Sequence, residues 1–68
     1  MLFFDHTALR DVRRTRHLKQ SDVAKLIDCT PATIAGYENG NIKISASRLA
    51  ELIELYQVDP SKLFITRY

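Results

Sequence analysis

Apolar residues along this chain fall mainly at helical spacing. Leu9 and Val12 stand three apart with Asp5 ahead of them as an N-cap, which predicts a first helix over about 6–16. Val23, Ala24 and Ile27 share one face of a second, over about 20–27. The third, about 31–39, is marked at both ends. Thr30 is a good N-cap, Pro31 takes the first helical position where a missing N–H does no harm, and Gly40 suits the left-handed residue that closes it. Residues 41–44 read as a loop. Ser45 then caps a fourth helix over about 46–56, whose Leu49, Leu52, Ile53 and Tyr56 form the clearest amphipathic stripe in the chain. Asp59 and Pro60 repeat the cap-then-proline signal and open a short fifth helix ending near Leu63 or Phe64.

The two ends break the pattern. Leu2, Phe3 and Phe4, and again Phe64, Ile65 and Thr66, are β-formers. They could pair as strands, within one chain or between two, or pack on the core unpaired. Short apolar runs do not separate these options.

Composition narrows the class. At 68 residues the chain has room for one domain, 1–68, of a size that buries only about 60% of its unfolded surface. The single cysteine, Cys29, forms no internal disulfide, and with His6 and His17 it has no metal-binding spacing. A partner chain is then the expected source of added stability. A buried structural role for the Cys29 thiol is favoured over a reactive one. No long apolar stretch suggests a membrane span, the N-terminus does not read as a signal peptide, and a cytoplasmic location is expected. The net charge of +2 is unevenly spread. Residues 10–25 carry Arg10, Arg13, Arg14, Arg16, Lys19 and Lys25 against Asp11 and Asp22, while residues 49–61 carry Glu51, Glu54 and Asp59 and no base. One side could face a polyanion; an ordinary charged surface gives the same count.

The second and third helices are separated only by Asp28, Cys29 and Thr30, a turn of helix-turn-helix length, with small Ala24 at the crossing and Val23, Ile27 and Ile34 beneath. Leu18, Gln20 and Ala24, then an apolar residue after the turn, then Glu38, Asn39 and Gly40 stand in order at the spacings of a known group. Leu49, Leu52 and the run from Val58 to Leu63 continue the match. Over about residues 8–64 the chain resembles the Cro/CI-like, or XRE-type, helix-turn-helix family of phage-repressor type, with the helix-turn-helix itself at about 20–38.

That resemblance implies an all-α, five-helix, lambda-repressor-like domain, with or without short terminal strands. It also implies a bacterial or phage-encoded, nucleoid-associated regulator of transcription, expected as a repressor, that reads double-stranded DNA with the helix at 31–38. DNA contact would fall to Lys19, Gln20, Thr30, Pro31, Ala32, Thr33, Gly36, Tyr37, Asn39 and Lys43. Gln20, with the start of its helix, would hold a phosphate oxygen, or else bond only water. Arg13 and Glu38 would form an ion pair between the first and third helices, or else stand apart as exposed charges. Lys43 would meet phosphate or remain solvated, and the Tyr37 hydroxyl would lie near the DNA backbone or pack inward.

The chain departs from the family at four places. Lys19 stands where a Ser or Thr cap is usual. Asp28 replaces a frequent turn glycine, and Asp accepts the left-handed region better than most residues. Pro31 replaces a polar residue. Last, the expected groove face of Pro31, Ala32, Thr33 and Gly36, with Ala35 at its edge, holds no Arg, Lys, Gln or Asn, so no bidentate base contact is available from it. Gly36 inside a helix costs about 1 kcal/mol relative to Ala, and a close approach by DNA or by a neighbouring helix would explain it.

Other readings are an antitoxin that represses its own operon, and a protein-interaction module that kept the fold and lost DNA. No nucleophile–base pair, metal cluster or phosphate loop suggests an enzyme, and no cofactor or small-molecule ligand is expected. A chain this short leaves no effector domain, so regulation would come from occupancy and self-association. A two-fold dimer is expected, with Leu55, Tyr56, Val58, Phe64, Ile65 and Tyr68 as its apolar surface.

Overall fold

Four α-helices and two short strands make up the computed structural model, which describes residues 1–66. Strand β1 is Leu2–Phe4, and helices α1, α2, α3 and α4 are His6–Thr15, Gln20–Leu26, Pro31–Asn39 and Ala46–Tyr56; strand β2 is Phe64–Thr66. Side-chain chemistry marks where three of the helices start. The Asp5 carboxylate accepts from the Thr7 backbone N–H at 3.2 Å and the Thr7 hydroxyl at 2.6 Å. Thr30 Oγ1 accepts from Thr33 N at 3.2 Å, and Ser45 Oγ from Arg48 N at 3.1 Å. Each satisfies a donor the helix itself leaves unpaired. Helix α2 begins on Lys19, which has no capping oxygen; there the Asp22 carboxylate reaches back to Lys19 N at 2.8 Å.

The expected fifth α-helix is a single 3₁₀ turn, Pro60–Leu63. Asp59 caps it through Ser61 N at 3.0 Å, and Lys62 N returns to Asp59 O at 2.9 Å. It goes no further because Phe64 is already extended, at φ −128° and ψ 147°, and enters β2. The strands pair antiparallel within the chain, Leu2 opposite Thr66, Phe3 opposite Ile65 and Phe4 opposite Phe64. The rings of Phe4 and Phe64 meet edge to face with centroids 5.7 Å apart, an arrangement that ring quadrupoles favour. Asp5 N then donates to Leu63 O at 2.8 Å and continues the closure toward the core.

That core is Leu9, Val23, Ala24, Ile27, Ile34, Leu52, Tyr56 and Leu63, so every helix and the 3₁₀ turn supply at least one buried residue. Arg16 ties α1 to the far end of α4: its Nε donates to Tyr56 O at 2.7 Å and Nη2 to Gln57 O at 3.4 Å, placing a cation on carbonyls that the helix leaves unpaired. Arg48, at the start of α4, donates to the Ile27 carbonyl at the end of α2 and pairs with Glu51 at 3.0 Å.

Tyr56 corrects one expectation. It is 1% exposed and sits among the core residues, so it offers no surface to a second chain. The amphipathic stripe of α4 points it inward with Leu52. Tyr68, also expected at that surface, lies outside the described residues. Burial and the nearby Glu38 charge push the Tyr56 phenol from about 10 up to about 12. The folded state therefore favours the neutral phenol, and its contribution is complete below pH 10 and lost as pH rises toward 12. Unfolding measured by denaturant across pH 9–12 should show the parent losing stability by up to about 1.4 kcal/mol per pH unit more than Tyr56→Phe does. Parallel curves for the two proteins would refute the assignment.

Candidate nucleic-acid interface

Helix α2 ends at the Ile27 cap and the chain reverses through Asp28, which adopts the left-handed conformation at φ 56°. Cys29 N bonds back to Ala24 O at 2.8 Å, and Thr30 starts α3. Cys29 is half-buried against the core. This short turn sets α3 across α2 and also against α1.

What orients α3 is a buried charge pair. Arg13 Nε donates to Glu38 Oε2 at 2.7 Å and Nη2 to Oε1 at 3.0 Å, so the guanidinium and carboxylate meet as two parallel bonds. Arg13 and Glu38 are 8% and 4% exposed. The third guanidinium nitrogen, Nη1, donates to Leu18 O at 2.8 Å. Hydrogen bonding to Glu38, opposed by burial, raises Arg13 above its ordinary pKa. Gln20 Nε2 completes the cluster at 3.1 Å from Glu38 Oε1, so the side chain expected on phosphate turns inward. His6 holds the end of the same helix: its Nδ1–H donates to Glu38 O at 2.8 Å, and its ring lies where a side chain at Gly40 would stand. Gly40 has φ 82°, so glycine there answers both the backbone and the space.

With Ile34 and Glu38 inward, Ala32 and Asn39 point outward and are exposed, as is Pro31 at the helix start. Thr33 is half-buried and its hydroxyl is engaged with that of Thr30 at 2.9 Å. Asn39 Oδ1 accepts from Asn41 N at 2.9 Å, which leaves its amide NH₂ as the outward donor. Lys19 and Lys43 are exposed at opposite ends of the helix. Tyr37 packs partly against the core. The neighbouring Tyr37 phenol, and after it Glu51, hold Arg48 above its ordinary pKa against the effect of burial.

Gly36 requires a correction. It was expected on the bare groove face, yet it is buried, because Ile42 folds back from the following loop and covers it. The following loop, and neither DNA nor a neighbouring helix, therefore explains the glycine. The basic cluster also loses a charge: Arg13 is neutralised by Glu38, while Arg16 stays exposed with its guanidinium bonded to the carbonyls of Tyr56 and Gln57. Arg14, Lys19, Gln20, Ser21 and Pro31 instead line an open groove where the starts of α2 and α3 meet. His6 and Ile42 were not singled out for this surface in the sequence, and Arg14 only as part of the basic cluster; for Ile42 the available signal was the aliphatic pair Ile42 and Ile44 in the loop after α3. Among the described residues no cluster of metal-binding side chains occurs, and no helix is long and apolar enough to cross a membrane.

A family model described as helix-turn-helix matches residues 9–63. No curated protein and no solved structure matches the chain.

The buried pair sets a stability expectation. Arg13→Ala and Glu38→Ala should each destabilise by about 3 kcal/mol, since each strands a desolvated group. The double variant should lose clearly less than the sum in denaturant unfolding. Simple additivity would mean that the two side chains are energetically independent.

Proposed function

The chain belongs to the helix-turn-helix family of Cro/CI-like type, and on that premise we propose that it is a sequence-specific, double-stranded DNA-binding regulator of transcription, acting as a repressor in the cytoplasm by occupying its site. The observation that carries this reading is α3 itself: a helix locked by a buried fork on one side, with short side chains on the other and cations at its rim. A major groove about 12 Å wide admits such a helix. Arg14, Lys19 and Lys43 would meet phosphates to either side, joined by the Asn39 amide, and these contacts would set register without reading sequence.

Affinity for mixed-sequence duplex should therefore be weak and steeply salt-dependent, with log K linear in log salt. Lys19→Ala and Lys43→Ala should each flatten that slope by about 1 while weakening all sequences alike. Absence of any duplex binding at low salt would overturn the reading in favour of a protein-interaction module.

A face so poor in long polar side chains gains specificity most simply by being doubled. We propose a two-fold dimer on DNA, with half-sites about 34 Å apart. Half-buried Leu55, Val58, Phe64 and Ile65, together with exposed Leu2, supply apolar surface away from α3. Sedimentation at micromolar concentration should show a dimer that Leu2→Lys weakens. A monomer throughout, including on an inverted repeat, would end the dimer proposal.

A further inference from the structure

Gly36 is two positions, about 200° of helical turn, from each of the inward residues Ile34 and Glu38. It thus stands on the outer side of α3, the side that faces DNA in the proposed function. Its burial there comes from Ile42. Ile42 N donates to Gly36 O at 3.1 Å, and a Cβ at residue 36 would lie 3.1 Å from Ile42 Cβ and closer still to Cγ1 and Cδ1. Ile42 itself remains 42% exposed. Exposed Ala32 shares this side of the helix, with half-buried Ala35 at its flank. The bulkiest apolar group over the outer face of α3 therefore comes from the loop, and glycine at 36 is what lets it lie so close.

We infer that Ile42 is a base-reading residue, and that its methyl groups select thymine. The inference rests on the DNA-binding reading. An aliphatic side chain has neither donor nor acceptor for base edges. In the major groove it can discriminate only by packing on the one apolar group there, the thymine C5-methyl. On α3 itself the Thr33 hydroxyl is already engaged with Thr30, and the Asn39 amide is assigned above to phosphate. Ile42 and Ala32 together present carbon to the groove, so the preferred half-site carries thymine opposite Ile42.

The test begins with duplexes selected from random sequence by the full chain. Each thymine is then replaced singly by deoxyuridine, which removes only the methyl. At one position per half-site the replacement should weaken binding about fourfold, the worth of one buried methyl-sized group. Ile42→Ala should abolish that difference and keep the salt-steep binding to mixed duplex. Ile42→Gln, which retains a covering stem over Gly36, should abolish it too and guards against a folding defect in the alanine variant; thermal unfolding of both checks this. Equal binding of thymine and deoxyuridine duplexes at every position would overturn the inference, as would undiminished discrimination in the folded Ile42 variants. Failure of the parent to bind any duplex is a separate outcome, which removes the DNA-binding reading and this inference with it.

Discussion

The orientation of α3 depends on the fork between Arg13 and Glu38. A helix in a small domain is usually held at a fixed rotation by a broad apolar stripe. α3 has almost none: Ile34 is its one large, fully buried aliphatic residue. Burial of a single side chain is non-directional and leaves the helix free to roll. Two parallel bonds between a planar guanidinium and a carboxylate are directional, and they resist that roll. Gln20 and His6 add contacts to the same residue, one to its carboxylate and one to its carbonyl, from two other helices. One residue on α3 is thereby fixed from α1 and α2 together. A lysine at position 13 would supply charge without this planar geometry.

The helices were largely legible in the sequence because their starts are chemical. Asp5, Thr30 with Pro31, and Ser45 each place an acceptor where a helix has free N–H groups, and the first residue of every helix follows from them or from Gln20. The ends were less legible. Each helix is closed by a residue in the left-handed region, yet only Gly40 is a glycine; His17, Asp28 and Gln57 are the others. A non-glycine residue there costs roughly 1–2 kcal/mol, offset by backbone closures that residue type does not report: Leu18 N to Arg13 O, Cys29 N to Ala24 O and Val58 N to Ile53 O.

The candidate site was legible in outline and misjudged in detail for a related reason. Periodicity tells which side of a helix turns inward; it cannot tell what crosses the other side. Gly36 was therefore read as bare surface, while Ile42, six residues on, lies over it. Charge counting has the same blindness. Arg13 and Arg16 contribute to a basic cluster in sequence, but one faces Glu38 and the other the carbonyls of Tyr56 and Gln57. Tyr56 fitted both an inward stripe and an apolar surface, and the desolvated position prevailed. The terminal strands were left open between pairing and packing, and the register of Phe4 with Phe64 combines the two.

The pairing of Leu2 with Thr66 also bears on how the molecule is made. The first and last described elements are neighbours, Asp5 bonds to Leu63, and Arg16 waits for carbonyls at 56 and 57. Such long-range closures carry a loop-entropy cost that must be met before they stabilise anything. On a translating ribosome, the N-terminal segment and α1 emerge long before their partners exist. The helix-turn-helix can form its local turns early, but Leu63 and the strand that seals the core follow all four helices in the chain. Folding of this unit therefore waits for its last strand, and the nascent chain carries an unsealed core until residues 63–66 have left the exit tunnel.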